Sequence, residues 1–360
     1  MNFSTKVIHW YDENKRALPW RKTADPYNIW ISEIILQQTR VEQGTEYYYR
    51  FLDRFPDIKT LALANEDDVL KIWQGLGYYS RARNLHLAAR SIIAHHNGIF
   101  PSDYTEILAL KGIGEYTASA IASIAFNEPY ATVDGNVIRV ISRIFGIQGS
   151  INKAWVKNKI KFKANELIDK KNPGTFNQAM MEFGALYCRP ANPKCQNCLF
   201  KKECFAFKNG LVDKIPFVPK KNKLRKRYLY YLVCKIQEQG NFFTLISKRE
   251  NNDIWKNLYD FPHYDYKSKQ SIKKIIVQLT SDCKSQSCEK IKFSKEYQHT
   301  LSHQKIIARF ITFETGNRQP FNKNHSVSPK NMLLIEAEKF YNYPIPRLIE
   351  KFVDENQIFN

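Results

Sequence analysis

Four of the chain's seven cysteines lie close together in the segment CRPANPKCQNCLFKKEC. They are Cys188, Cys195, Cys198 and Cys204, spaced C-x6-C-x2-C-x5-C. Disulfides are disfavoured in a cytosolic chain, so this group of thiols predicts metal or cluster binding. Four thiolates can hold a zinc ion or an iron–sulfur cluster, and the spacing does not separate the two. The scattered Cys234, Cys283 and Cys288 are predicted to be ordinary buried or surface thiols.

Two carboxylates stand in settings that can support acid–base chemistry. Asp134 lies in VDGNVIRVISRIFGI, where either it or Asn136 can cap the helix that follows. Glu33 lies in an apolar stretch, and its spacing from Gln37 and Arg40 predicts one polar stripe on a helix. Most such glutamates face water, so spacing alone does not make Glu33 catalytic.

A glycine-containing turn precedes a helix of small residues in LKGIGEYTASAIASIAF. Gly112 and Gly114 permit a tight turn whose backbone amides face outward at a helix N-terminus, an arrangement that suits a phosphate. An ordinary connection between two helices is equally compatible with this pattern. Tyr116 stands at the start of the helix among alanines and serines, where a large polar side chain is unusual.

These residues must be positioned by two regions of different composition. Up to about Asn209, apolar residues recur at helical spacing. The basic, proline-containing segment IPFVPKKNKLRKR then predicts a linker. Beyond it, YLYYLVCKI, FFTLISKR and IIARFITFE are rich in aromatic and β-branched residues and predict strands, with a helix at SIKKIIVQL. A helical part is therefore followed by a small α+β domain.

The overall charge favours a polyanionic partner. The chain has 360 residues, a formal net charge of +20 and a pI of about 9.5. Such an excess of positive charge is typical of nucleic-acid binding, although a basic bias of a whole proteome gives the same number. No run of 18 apolar residues and no secretory signal is present, so a cytoplasmic protein without membrane association is expected.

Several motifs occur together and in one order. They are LPWR (Leu18–Arg21), SEIILQQTRV (Ser32–Val41), GLGYYSRARNLH (Gly75–His86), LKGIGEYTASAI (Leu110–Ile121), VDGNVIRV (Val133–Val140) and the four-cysteine segment. In this combination the chain resembles the helix-hairpin-helix DNA glycosylases, most closely the adenine DNA glycosylases of the MutY family. A weaker likeness continues in WKNLYDFP (Trp255–Pro262) and LSHQ (Leu301–Gln304), where the family usually has FSH.

The resemblance implies a multidomain fold, with an all-α helix-hairpin-helix glycosylase domain, its iron–sulfur cluster loop, and a C-terminal α+β Nudix-like domain. The helical catalytic domain is expected at 1–213, with a six-helix part at about 22–130 and a cluster part at about 1–21 and 131–213. A basic linker at 214–227 then leads to a recognition domain at 228–360. The glutamate-rich box of Nudix hydrolases is absent, so pyrophosphate hydrolysis is not expected.

The same resemblance implies a monofunctional glycosylase that flips out and excises adenine paired with 8-oxoguanine, and also with guanine. Glu33 would protonate adenine, and Asp134 would stabilise the oxocarbenium-like sugar. Asn136 would hydrogen-bond at the site, and Tyr116 would orient the reacting groups. Glu33 should then have a raised pKa, whereas Asp134 should stay ionised beside its helix N-terminus. The four cysteines would hold a [4Fe–4S] cluster.

Contacts with double-stranded DNA are carried over residue by residue. The expected DNA- or lesion-binding residues are Gln38, Thr39, Leu76, Tyr78, Gly112, Gly114, Ser302 and His303. Gln38 and Tyr78 would intercalate, the two glycines would anchor the backbone, and Ser302 with His303 would read the purine opposite adenine. Arg81 and Arg83 are predicted phosphate contacts or simply solvated. A monomeric, nucleoid-associated bacterial protein is expected.

Three other interpretations compete with this one. Endonuclease III-type enzymes share the hairpin and the cluster, but they carry a lysine nucleophile where this chain has Tyr116. A non-catalytic DNA-binding protein would have no chemical need for Glu33, Tyr116 and Asp134 together. A zinc module on a structural protein would leave the same three residues unexplained.

Overall fold

The structure is a computed structural model that describes residues 2–219, 224–250, 253–284, 288–322, 326–328 and 331–359. The chain divides into two compact units: Met1–Leu63 with Asn84–Lys221, and Ala64–Arg83 with Asn222–Asn360. The expected domain boundaries at residues 213 and 227 remain predictions. Across the described ranges, no helix combines the length and the apolar character needed to span a membrane.

The chain is helical up to Lys208, as predicted. The helices there are α1 Phe3–Asn14, α2 Pro26–Leu36, α3 Val41–Arg54, α4 Ile58–Leu63, α5 Glu66–Ile72, α6 Ser80–His96, α7 Tyr104–Ala109, α8 Glu115–Phe126, α9 Gly135–Phe145, α10 Ala154–Leu167, α11 Pro173–Leu186 and α12 Phe205–Lys208. In the first unit, α1, α9 and α11 contribute Val7, Val140 and Phe183 to one apolar core, and all three side chains are fully buried.

Local sequence signals place the helices that later carry the site. Asp25 caps α2 by accepting a hydrogen bond from the Asn28 N–H at 2.8 Å, and Pro26 occupies the first helical position. Asp134 caps α9 by accepting from the Val137 N–H at 2.7 Å. The same helix ends at Gly146, whose φ of 65° is left-handed and favours glycine.

The second unit contains a mixed sheet. Its strands are β1 Arg225–Glu238, β2 Asn241–Lys248, β3 Tyr259–Asp260, β4 His263–Tyr266, β5 Glu289–Phe293, β6 Tyr297–Thr300, β7 Gln304–Thr315 and β8 Leu333–Glu336, with helices α13 Ile272–Asp282 and α14 Arg347–Asn356. The main order is β3-β2-β1-β7-β5, while β4 pairs with β1, β6 with β7 and β8 with β2. β1 and β7 run parallel and the other pairs are antiparallel. The predicted strands and helix are confirmed.

Both faces of this sheet are covered by helices. Successive residues of β1 point to opposite sides, so its side chains are buried on both faces. Tyr230 and Leu232 share a core with Ile275 of α13. On the opposite side, Phe310 of β7 stacks on Phe352 of α14 with ring centroids 3.8 Å apart. A sheet buried on both faces accounts for the nearly continuous apolar run in β1.

The scattered cysteines differ from one another. Cys234 is a buried free thiol, as predicted. The prediction of free thiols is wrong for Cys283 and Cys288, which form a disulfide. The two residues are only five positions apart at the end of α13, so the bridge closes a short local loop.

Candidate active site

A cavity of about 450 Å³ in the first unit brings the predicted catalytic residues together. Glu33 reaches it from α2 and Tyr116 from the first turn of α8. Asp134 and Asn136 reach it from the start of α9. Three helices that are distant in sequence therefore converge on one space large enough for a nucleobase.

Glu33 is buried and has a perturbed acidity. Glu33 is only 8% exposed to solvent. Burial raises its pKa to about 7, and the nearby Asp134 charge adds to the rise, while a hydrogen bond with Tyr116 opposes it. The prediction of a raised pKa is confirmed. The predicted polar stripe is wrong at Arg40, because α2 ends at Leu36 and Arg40 precedes α3.

Asp134 is both a helix cap and a cavity residue. One of its carboxylate oxygens accepts from the Val137 N–H, and the other accepts from Asn136 Nδ2 at 2.7 Å. Burial raises the pKa of Asp134 above its ordinary value, against these hydrogen bonds and the nearby Arg139, which lower it. Its ionised state therefore depends on those donors and remains a prediction.

Arg139 connects the Asp134–Asn136 pair to the four-cysteine segment. Its guanidinium donates to Asn136 Oδ1 at 2.9 Å and to the Cys188 carbonyl at 2.7 Å. It also donates to the Gly184 carbonyl at 2.7 Å. Arg139 thus fixes the Asn136 side-chain amide, which in turn donates to Asp134. The local sequence pattern did not predict this role of Arg139.

Tyr116 contributes a neutral phenol. Burial raises its pKa well above the ordinary value, and the charges of Glu33 and Asp134 raise it further. Its hydroxyl lies 3.3 Å from Met181 Sδ and is also hydrogen-bonded with Glu33. Tyr116 can therefore orient Glu33 while remaining protonated.

The sequence prediction missed an ion-pair group on the wall of the same cavity. Glu182, on α11, has a side chain only 1% exposed and pairs with Arg16 at 2.7 Å and Arg21 at 2.9 Å. Burial alone would raise the pKa of Glu182, but hydrogen bonds from the two arginines outweigh it and lower the pKa to about 2. A single charged residue within the apolar run MMEFGAL was the signal that could have identified it.

Glu182→Ala is expected to destabilise the protein by about 3 kcal/mol, because it leaves two arginines without their buried partner. The measurement is the free energy of unfolding in urea, compared with Glu13→Ala as a control. Glu13 is exposed and pairs with His9 at 3.4 Å, so its substitution should change the stability little. Equal effects of the two substitutions would contradict the assignment of a structural ion-pair group.

Gln38 and Thr39 follow α2 and line the same cavity. Gln38 is exposed and adopts a φ of 59°, a left-handed conformation that is uncommon for a residue other than glycine. Such strained positions cluster at functional sites. The structure thus places both residues beside the carboxylates.

The glycine turn joins α7 to α8. Gly112 has a φ of 83°, and a Cβ there would lie 2.6 Å from the Asn84 side chain, so any other residue would be strained. Gly114 caps α8 in ordinary extended geometry, with open space around it. Both glycines are exposed, and neither lines the cavity that holds Glu33 and Asp134. Their backbone amides are therefore accessible to a phosphate at the start of a twelve-residue helix.

A second cavity, of about 980 Å³, lies within the second unit. Leu76, Tyr78, Ser302 and His303 all line it, so the structure brings together four predicted lesion-binding residues. Tyr78 is 38% exposed with a φ of 49°, and it follows Gly75 and Gly77, which both have a positive φ. We name this space the recognition cavity.

The two arginines beyond Tyr78 differ from each other in their surroundings. Arg81 is buried, donates to the Gly77 carbonyl at 3.1 Å and lies over the Trp73 ring at 5.1 Å. The expectation of a phosphate contact or a solvated side chain is therefore wrong for Arg81, which instead holds the turn. Arg83 lines the recognition cavity and donates to the Lys256 carbonyl at 2.8 Å.

The four clustered cysteines line one further cavity of the first unit, together with Arg143, Lys194 and Lys201. Arg143 lies 3.5 Å from Cys188 Sγ and donates to the Arg189 carbonyl at 2.7 Å. Among the described residues, no three His, Cys, Asp or Glu side chains form a group that could hold a single metal ion. The four thiols thus line one shared space.

Two family models match this chain. The HhH-GPD superfamily of base excision DNA repair proteins matches residues 31–165, and the NUDIX domain matches residues 232–355. A 29% identical thermostable thymine-DNA glycosylase structure superposes with a TM-score of 0.53 over 57% of this chain and 95% of its own. An endonuclease III–DNA complex, 21% identical over 58% of this chain and 94% of its own, has the same fold at a TM-score of 0.50. Helices, hairpin and cavity thus define a base excision DNA glycosylase.

Full-length relatives narrow this class. An adenine DNA glycosylase of Buchnera aphidicola subsp. Schizaphis graminum is 33% identical over 98% of each chain. Another, of Buchnera aphidicola subsp. Acyrthosiphon pisum, is 37% identical over 84% of each chain. The chain belongs to the adenine DNA glycosylase family. The family resemblance and the fold class predicted from sequence are therefore confirmed.

Proposed function

We propose that the enzyme is a monomeric, monofunctional glycosylase that excises adenine opposite 8-oxoguanine, and also opposite guanine, from double-stranded DNA. The observation that supports this best is the pairing of buried Glu33 with half-buried Asp134 in a cavity of nucleobase size. Adenine must leave the base stack to enter such a cavity, so the reaction requires base flipping.

Glu33 supplies the proton. Adenine is a poor leaving group as an anion, and protonation of a ring nitrogen allows it to depart as a neutral base. With a pKa of about 7, Glu33 is protonated in about half of the molecules at neutral pH, and the protonated acid can give up its proton. The phenol of Tyr116 keeps the carboxyl group oriented.

Asp134 stabilises the sugar that is left behind. Cleavage of the N-glycosidic bond leaves positive charge on C1′ and the ring oxygen, and a carboxylate nearby lowers the energy of that state. The Val137 N–H and Asn136 stabilise the anionic form of Asp134. Water then adds to C1′ and leaves an abasic site.

Exposed strained residues supply the contacts to DNA. Gln38 and Tyr78 have left-handed backbones that project their side chains from tight turns, which suits intercalation at the flipped base pair. Gly112 and Gly114 present backbone amides to a phosphate. In the second unit, Ser302 and His303 read the purine opposite adenine, and Leu76 lines the same cavity.

We propose that the four cysteines hold a [4Fe–4S] cluster, as the family resemblance implies. They surround a shared space, and Arg143, Lys194 and Lys201 place positive charge beside thiolates. When bound, the cluster would supply Fe–S bonds that hold the loop from Cys188 to Cys204 in shape. Iron and acid-labile sulfide analysis of purified protein tests this, with four iron atoms per chain expected. Stoichiometric zinc without iron would contradict the assignment.

The activity is tested with a duplex containing an 8-oxoguanine:A pair. Adenine release, followed by strand cleavage only after heating in alkali, is the expected result. Cleavage without alkali would indicate an endonuclease III-type lyase instead. Absence of adenine release from 8-oxoguanine:A and G:A duplexes alike would refute the proposed substrate.

Tyr116→Lys is expected to introduce covalent trapping on DNA. The substitution puts an amine where the strand-cleaving relatives carry their nucleophile, so a Schiff base with C1′ becomes possible. Borohydride reduction followed by denaturing electrophoresis measures the covalent complex. Tyr104→Lys, on α7 and away from the cavity, is the control. Absence of trapping with Tyr116→Lys would weaken the assigned position of Tyr116 next to the sugar.

A further inference from the structure

The turn that carries Tyr78 is built on the second unit. The chain leaves the first unit after Leu63 and returns to it at Asn84, and the segment between these residues belongs to the second unit. This segment consists of α5, the glycine turn before Tyr78 and the first residues of α6. The position of Tyr78 therefore depends on how the segment is held by the sheet of that unit.

Asp67 provides the central contact in this attachment. It lies in the first turn of α5, and its two carboxylate oxygens are bound by two side chains of the sheet. Lys248 Nζ donates to one oxygen at 2.6 Å, and the Tyr259 hydroxyl donates to the other at 3.0 Å. Lys248 of β2 and Tyr259 of β3 stand directly opposite each other, and the ammonium lies 5.4 Å from the centre of the Tyr259 ring. One carboxylate thus engages a cross-strand pair with both of its oxygens.

Two further polar contacts hold α5 on the same unit. Asn257 Nδ2 donates to the carboxylate of Glu66, at the start of the helix. Lys71 Nζ, in the last turn, donates to the Tyr343 carbonyl at 3.3 Å. Among these contacts, the one between Asp67 and Lys248 joins two full charges, so we expect its loss to loosen α5 most.

A short path leads from Asp67 to Tyr78. α5 ends at Ile72, and Trp73 follows as its C-cap, with only 1% of the residue exposed. The Trp73 indole donates to the Gly77 carbonyl at 3.2 Å, directly before Tyr78. Because closely packed elements transmit displacements, a shift of α5 on the sheet would shift the turn as well.

We propose that Asp67 is a positioning residue for the extrusion of adenine, acting through the turn that carries Tyr78. Its doubly bound carboxylate holds α5 on the sheet, and α5 in turn fixes the direction from which the Tyr78 ring enters the base stack. Holding the ring in advance favours intercalation, because a mobile turn would lose conformational entropy on insertion. The inference rests on the proposed function, because it requires Tyr78 to intercalate.

The test is a double-mutant cycle between Asp67 and Tyr78. Single-turnover release of adenine from an 8-oxoguanine:A duplex is measured for Asp67→Ala, Tyr78→Ala and the double variant. Asp67→Ala removes both contacts with the sheet while keeping a good helix former in α5, and we expect it to slow release about fivefold. In the Tyr78→Ala background the same substitution should have no further effect, because the side chain through which it acts is gone.

Fluorescence of 2-aminopurine in place of the adenine reports extrusion itself, since its emission rises when the base leaves the stack. It is measured in the Glu33→Gln background, so that the base stays attached, and Asp67→Ala should lower the rise. Glu314→Ala is the matched control, because Glu314 pairs with Lys290 at 2.6 Å in the same unit and neither residue lines the recognition cavity. The control should leave release and fluorescence unchanged.

Two outcomes would overturn the proposal. One is unchanged release and fluorescence in Asp67→Ala. The other is an equal loss with and without the Tyr78 side chain, which would mean that Asp67 acts only on the stability of the fold. If Tyr78→Ala alone leaves release and fluorescence unchanged, the intercalating role of Tyr78 in the proposed function fails first, and the proposal fails with it. Thermal unfolding checks that the variants are folded, and Lys248→Met, which removes the ammonium but keeps most of the side-chain stem, replaces Asp67→Ala if that variant does not fold.

Discussion

Glu33→Gln is expected to slow adenine release by about 10²–10⁴-fold while leaving binding to DNA intact. The amide has nearly the shape of the acid and retains a hydrogen-bonding partner for Tyr116, but it has no proton to give to adenine. Because Glu33 is buried in the cavity wall, the substitution should not alter the exposed residues assigned to DNA contact.

The measurement is single-turnover release of adenine from an 8-oxoguanine:A duplex, with binding followed separately by anisotropy. Glu46→Gln is the matched control, because the Glu46 side chain is 72% exposed on α3 and pairs weakly with Arg50 at 3.9 Å. A fully active Glu33→Gln variant would remove Glu33 from the chemistry. Loss of DNA binding together with activity would instead indicate a structural role.

The same residue predicts how rate and stability respond to pH. The reactive form is the protonated acid, so the single-turnover rate should fall as pH rises through about 7. The folded-state pKa of Glu33 is above its ordinary value, so its contribution to stability is present at low pH and is lost as pH rises through about 7. Above that pH, the free energy of unfolding of the Glu33→Gln variant should exceed that of the unmodified enzyme by about 3 kcal/mol. A rate independent of pH between 6 and about 9 would contradict the assignment.

Asp134→Asn should reduce adenine release by about 10²–10³-fold, because it removes the negative charge that stabilises the developing positive sugar. Asparagine is a good helix cap, so its side-chain oxygen can still accept from the Val137 N–H and α9 should remain folded. The loss should therefore appear mainly in the single-turnover rate, with a smaller loss of thermal stability because the new amide nitrogen cannot accept from Asn136 Nδ2.

Asp103→Asn provides the matched control. Asp103 caps α7 in the same manner, accepting from the Thr105 N–H at 2.8 Å and the Glu106 N–H at 3.1 Å, but it is exposed and outside the cavity. Its substitution should leave activity unchanged. If Asp134→Asn and Asp103→Asn had the same effect, Asp134 would be only a helix cap.

Much of this enzyme can be predicted from residue types and their order. The change from helical spacing to alternating β-branched runs predicted the two kinds of architecture, because these periodicities are local properties of the backbone. The Asp134 cap was visible for the same reason, since a capping side chain bonds to an amide only three residues away. The four cysteines and the ordered motifs indicated the family before any distance was known.

What tertiary structure decided was the environment of those residues. The sequence around Glu33 is compatible with a wet helix face, and only the packing of α2 in the first unit buries it and raises its pKa. Glu182 finds Arg16 and Arg21 more than 160 positions away, and Arg139 reaches back to Asn136 and across to Cys188. Arg81 proved to be a buried support. The pKa of a side chain, its ion pairs and its exposure to solvent depend on neighbours in space, which residue spacing along the chain does not specify.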